Sequence, residues 1–122
     1  MKIAQFYCLL ALYTYMGLSR SGAELTTIAS DKLLHFSGYV VFIISAMLAY
    51  GKRRSFILLF TLLFAYSVLI ECIQYFLPYR TFDVRDILAN LAGLIVGSII
   101  WFVINRFVGG TQGTTEDDAP AN

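Results

Sequence analysis

Four apolar runs, Ile3 to Ser19, Leu33 to Tyr50, Phe56 to Leu77 and Ile87 to Ile104, fill most of the chain, with short polar stretches between them. A helix rises about 1.5 Å per residue and needs about 20 residues, within a range of about 17 to 25, to cross a hydrocarbon layer about 30 Å thick. All four runs reach or approach that length, so the pattern predicts membrane helices over residues 3–19, 33–50, 56–77 and 87–104. Residues 51–55 are so brief a link that the second and third helices must be antiparallel neighbours, and the link from Pro78 to Arg85 is nearly as tight. Pro78 lacks a backbone donor and biases Leu77 away from helix, which makes it the stop for the third run. The expected fold class is all-α: an integral membrane four-helix bundle, up-down-up-down, forming one domain over residues 1–108.

Composition agrees with this pattern. With 58% hydrophobic and only 14% charged residues, the chain has too little polar surface to coat a soluble domain of its size. No nucleic-acid partner is expected. Lys and Arg set the orientation. With the N-terminus inside, Lys2, the Lys52-Arg53-Arg54 triplet and Arg106 are cytoplasmic, and Arg20, Lys32, Arg80 and Arg85 lie outside. The unbroken triplet in a very short loop is the strongest retention signal, which favours N-in and C-in. Lys2, the first apolar run and Ser21-Gly22-Ala23 together imitate a secretory signal, but the run exceeds the usual signal core of about 7 to 15 residues, so it is expected to be retained. Residues 109–122, with Glu116, Asp117 and Asp118, are expected to be a disordered acidic cytoplasmic tail. Cys8 and Cys72 belong to different helices and near opposite membrane faces, so no disulfide is expected between them.

Polar residues inside this apolar frame need a physical reason. Asp31 and His35 are four apart at the start of the second helix, Glu71 and Gln74 are three apart near the end of the third, and Asp83, Asp86 and Asn90 follow at spacings of three and four into the fourth. Those spacings align each set on one helix face, and the alternating topology brings all of them to the same side of the membrane. Glu71 lies about 9 Å below the Leu77 end, and His35 and Asn90 about 5 Å below their own helix starts, so they share one layer. An unpaired charge at the bilayer centre costs about 2.5 to 3.5 kcal/mol. Glu71 is the acid whose short stem cannot reach water. It must be neutral, paired with Arg80, Arg85 or His35, bound to a metal, or facing a wet cavity, and a network that merely fixes helix packing is the competing reading.

Asp31 is placed to orient the His35 ring. One nitrogen and up to three carboxylates from Glu71, Asp83 and Asp86 would suit zinc, manganese or magnesium, yet no tight metal motif is present, and neither a metal nor a cofactor is expected. Arg85 is expected to pair locally with Asp83 and Asp86. Arg80 is placed to offer its planar donor fork to a phosphate or carboxylate arriving from outside. Ala89, Gly93 and Gly97 recur every four residues as a small-residue groove, used for packing inside the bundle or for joining two copies.

The segment Asp31-Lys32-Leu33-Leu34-His35-Phe36, followed by Glu71-Cys72-Ile73-Gln74 and then by Arg80, Asp83, Asp86, Asn90 and Gly93, resembles the signature of the VanZ-like family of small bacterial membrane proteins. The resemblance covers residues 31–97. It implies an accessory role in the bacterial envelope at the cytoplasmic (inner) membrane. The family's founding member is associated with resistance to the glycopeptide teicoplanin, a property the resemblance does not carry over.

Three functions follow as expectations. The first is a pocket near the outer leaflet that binds a membrane lipid, amphiphile or lipid-linked envelope precursor through Asp31, Lys32, Gln74, Arg80, Asp83, Asp86 and Asn90. The second is a small intramembrane hydrolase or transferase with Glu71 and His35 as catalytic pair and Arg80 stabilising developing charge. The third is a structural or assembly partner of another membrane protein, or a homodimer.

Overall fold

The structure, a computed structural model, describes residues 1–28 and 30–109. Its elements are α1 (Lys2–Leu18), α2 (Arg20–Ile28), α3 (Asp31–Tyr50), α4 (Phe56–Gln74) and α5 (Val84–Gly109), and no strand occurs among the described residues. Three helices, α3, α4 and α5, are long and apolar enough to cross a membrane. Helix α1, with 17 residues, extends about 25 Å and sits at the lower limit for a span.

The helix ends differ from the expected ones for local reasons. Helix α4 stops at Gln74, three residues short of Leu77, because the chain before Pro78 tightens: Phe76 N–H donates to the Ile73 carbonyl and Leu77 N–H to the Gln74 carbonyl, both at 3.0 Å. Glu71 is therefore only about 4.5 Å from the end of its helix, and packing rather than depth keeps it from water. Helix α5 starts at Val84 instead of Ile87 because the Asp83 carboxylate accepts the Arg85 backbone N–H at 2.8 Å, an N-cap interaction. It runs on to Gly109, with Asn105 donating to the Trp101 carbonyl at 3.1 Å and Arg106 complementing the dipole of the last turn. The expected tail beyond it, residues 110–122, lies outside the described residues. Helix α2 was unforeseen in a stretch read as a loop. Ser19 is extended, which ends α1, and its Oγ accepts the Gly22 N–H at 3.1 Å, which starts α2.

Contacts set the relative directions. Tyr50 donates to Tyr7 at 3.2 Å and Tyr13 donates to the Gly38 carbonyl at 2.9 Å, so α1 runs antiparallel to α3. Helix α4 returns beside α1, where Thr14 meets Tyr66 at 2.9 Å and Gln74 donates to the Gly17 carbonyl at 2.8 Å. The Thr14 hydroxyl already donates to the Leu10 carbonyl, so Tyr66 is the donor of its pair.

Helix α5 lies along α3 more extensively than any other two helices touch. A side chain at Gly93 would meet the Phe36 carbonyl, and one at Gly97 would meet Ile43 and the Val40 carbonyl, so both glycines permit backbone-close approach to α3. Ala89, in the same register, is half-buried. Phe42 is fully buried, with the rings of Phe6, Tyr13, Tyr39 and Tyr66 all within 6 Å of its own. No residue of α1 is buried. Cys8 and Cys72 are both free and exposed.

Candidate functional site

The start of α3 and the end of α4, with the first turns of α5 beside them, hold the polar groups together. Lys32 donates to Asp83 at 2.9 Å and to Asp86 at 2.6 Å. His35, one turn further in, has Nδ1 3.0 Å from Asn90 Oδ1. The Asn90 amide nitrogen donates to Ser67 Oγ at 2.9 Å, which leaves Oδ1 as acceptor and makes His35 Nδ1 the donor. The other ring nitrogen, Nε2, lies 3.5 Å from Asp31 and 3.9 Å from Asp86. Glu71 is fully buried, and neither carboxylate oxygen has a hydrogen-bond partner. Its nearest basic atom is His35 Nδ1 at 3.9 Å.

A cavity of about 460 Å³ opens onto this cluster. Its polar end is formed by Asp31, His35, Glu71, Asn90, Gln74 and Arg80, and its walls by apolar and aromatic side chains of α1, α2, α3 and α4. Leu12 of α1, Leu25 of α2 and Val41 of α3 also line it and are themselves exposed, so the cavity opens sideways between α1 and α3. That is the direction in which lipid would lie around the spanning helices.

Seven of the residues singled out by spacing meet at or beside this cluster: Asp31, Lys32, His35, Glu71, Asp83, Asp86 and Asn90. Two others, which line the cavity beside it, reach across to α1. Gln74 binds the Gly17 carbonyl, and Arg80 donates to the Met16 carbonyl instead of projecting outward or pairing with Asp83. Arg80 Nε is buried without a partner, and burial holds the guanidinium below its usual pKa. Tyr79 reinforces this attachment by donating to the Leu18 carbonyl at 2.8 Å, with Arg20 stacked 5.5 Å over its ring. The acids at the α5 start form their ion pairs with Lys32, whereas the hydrogen bond from Arg85 comes from its backbone N–H. That bond, with Lys32, holds the Asp83 carboxyl below the usual carboxylate range.

Ser67 and Tyr13 escaped the sequence reading. Ser67 precedes Glu71 by one helical turn and so shares its face, a spacing that would have pointed to it. Tyr13 carried no such signal, because nothing in α1 pairs it with Gly38 until the helices are packed.

The pattern of the VanZ/LLP1 family matches residues 2–105 of the chain. No curated protein and no solved structure matches it.

Proposed function

Because the chain belongs to the VanZ/LLP1 family, we propose that it is a multi-pass protein of the bacterial cytoplasmic membrane that binds an amphiphile, a membrane lipid or a lipid-linked envelope component, in an accessory envelope role. In this reading α1, α3, α4 and α5 cross as an up-down-up-down bundle with both ends inside. The Lys52-Arg53-Arg54 triplet follows the far end of α3, about 30 Å from Asp31, which supports putting the polar cluster at the outer leaflet.

The observation that carries the proposal is the amphipathic form of the cavity: one polar end, apolar walls, and a mouth facing sideways. An amphiphile reaching it from the bilayer keeps its chain in apolar surroundings while its head meets Arg80, His35 and Glu71. Arg80 has a buried, unpartnered Nε at this end, which suits an anionic head group.

Native mass spectrometry of the purified protein tests this. The wild type should retain an amphiphile that is lost in Arg80→Ala and in Val41→Trp, which plugs the mouth without touching the polar cluster. Identical lipid profiles in all three would count against the reading.

A second reading, an intramembrane hydrolase or transferase on a lipid-linked substrate, is favoured by the unpaired Glu71 beside His35. Glu71→Gln separates the two. Under the binding reading wild type and mutant hold the same chemically unaltered amphiphile, the mutant at equal or lower occupancy, whereas under the enzymatic reading the mutant retains substrate that the wild type converts.

A further inference from the structure

We infer that Asp31, His35 and Asp86 form a binding site for a borderline divalent cation of the Zn²⁺ or Mn²⁺ type. One ligand atom from each of the three residues lies within 4.8 Å of the other two. The His35 Nε2 separations, 3.5 Å to Asp31 and 3.9 Å to Asp86, approach the edge of about 3.3 Å that a tetrahedron with bonds near 2.0 to 2.1 Å would have. A small inward movement of two carboxylates completes it.

The imidazole is already prepared as a ligand. Asn90 Oδ1 accepts from Nδ1, so in the neutral ring the lone pair is on Nε2, between the two carboxylates. A hydrogen bond to the far nitrogen is the usual means by which a ligating histidine is held in its tautomer and orientation. Lys32 does the same for Asp86, binding Oδ1 while Oδ2 faces the ring.

Glu71 is the independent sign that positive charge belongs here. It is fully buried, lines the same cavity as Asp31 and His35, and has no side-chain hydrogen-bond donor on either oxygen. Around the cluster, the four carboxylates of Asp31, Glu71, Asp83 and Asp86 outnumber the permanent cations Lys32, Arg80 and Arg85, and a divalent ion supplies the missing charge. Asp31 and His35 both line the cavity, so open coordination positions would face it. The site holds whether or not an amphiphile enters.

The test uses the full chain with Cys8→Ser and Cys72→Ser, to remove thiol binding, in detergent micelles after chelation. Calorimetric titration with Zn²⁺ alone, and separately with Mg²⁺, should give a single Zn²⁺ site and much weaker Mg²⁺ binding. His35→Gln, Asp86→Asn and Asp31→Asn should each weaken Zn²⁺ by roughly tenfold or more, whereas Asp83→Asn, which removes a charged partner of Lys32 while an Asn can still cap α5, should leave it nearly unchanged. Failure of the parent to take up Zn²⁺, equal affinity for Mg²⁺, or undiminished binding in His35→Gln would overturn the site. If Asp86→Asn does not fold, Asp31→Asn decides, since Asp31 is in the first turn of α3 and its side chain is partly exposed.

Discussion

Glu71 is a carboxylate sealed inside a protein with no hydrogen bond to either oxygen. Such a group costs stability, about 1–3 kcal/mol for an unsatisfied buried polar group. Glu71→Leu, close in volume, should therefore raise the thermal stability of purified protein by an amount of that order while removing the cavity's function. Asn90→Ala should do the reverse. It strands His35 Nδ1 and Ser67 Oγ together, and a loss of about 1–3 kcal/mol in denaturation experiments is expected. Both side chains stood out in the sequence because an acid or amide in an apolar helix is improbable without a partner. What the sequence withheld was the direction each long side chain takes. The position of Arg80 in the loop points its donor fork at an anion arriving from outside, yet the turns after Ile73 and Leu77 swing it toward the α1 carbonyls.

At the scale of elements, α3 and α5 form the tightest pair, and Gly93 is where their backbones come nearest. Gly93→Leu should separate them and cost about 1–3 kcal/mol or more, seen as a lowered melting temperature in detergent. Gly17→Ala is the milder comparison, since the added carbon would stand 3.1 Å from the tip of Ile70. The start of α5 should respond to acid. Because the Asp83 carboxyl is held below its unfolded value of about 3.9, its stabilising contribution is complete above that pH and disappears as the pH falls through the lower folded value. Asp83→Asn should accordingly flatten the acid limb of the stability profile. The apolar periods made the long helices legible from the sequence, but their ends depended on caps. Ser19 and Asp83 both act as N-caps: Asp83 begins α5 earlier than hydrophobicity alone would place it, and Ser19 begins a helix that hydrophobicity does not mark.

For the whole molecule, orientation is the open quantity that labelling can read. In a background with Cys8→Ser and Cys72→Ser, a membrane-impermeant maleimide applied to cells should modify Thr81→Cys from outside and Arg53→Cys only after lysis. The opposite result would invert the protein in the membrane.

Helix α1 differs in kind from its neighbours, since it contributes no buried residue and is attached largely by hydroxyl, amide and guanidinium donors from other elements reaching its backbone and tyrosines. Lipid tails are as apolar as leucine, so the bilayer replaces its apolar contacts at little cost, whereas Tyr66 and Gln74 would lose their partners. Its seat is therefore set by the stacking of Phe6 and Tyr13 on Phe42 together with a few directional bonds, each of which can be broken and remade singly. The 460 Å³ beside it then describes one resting position, and a guest larger than that would have to replace some of those bonds.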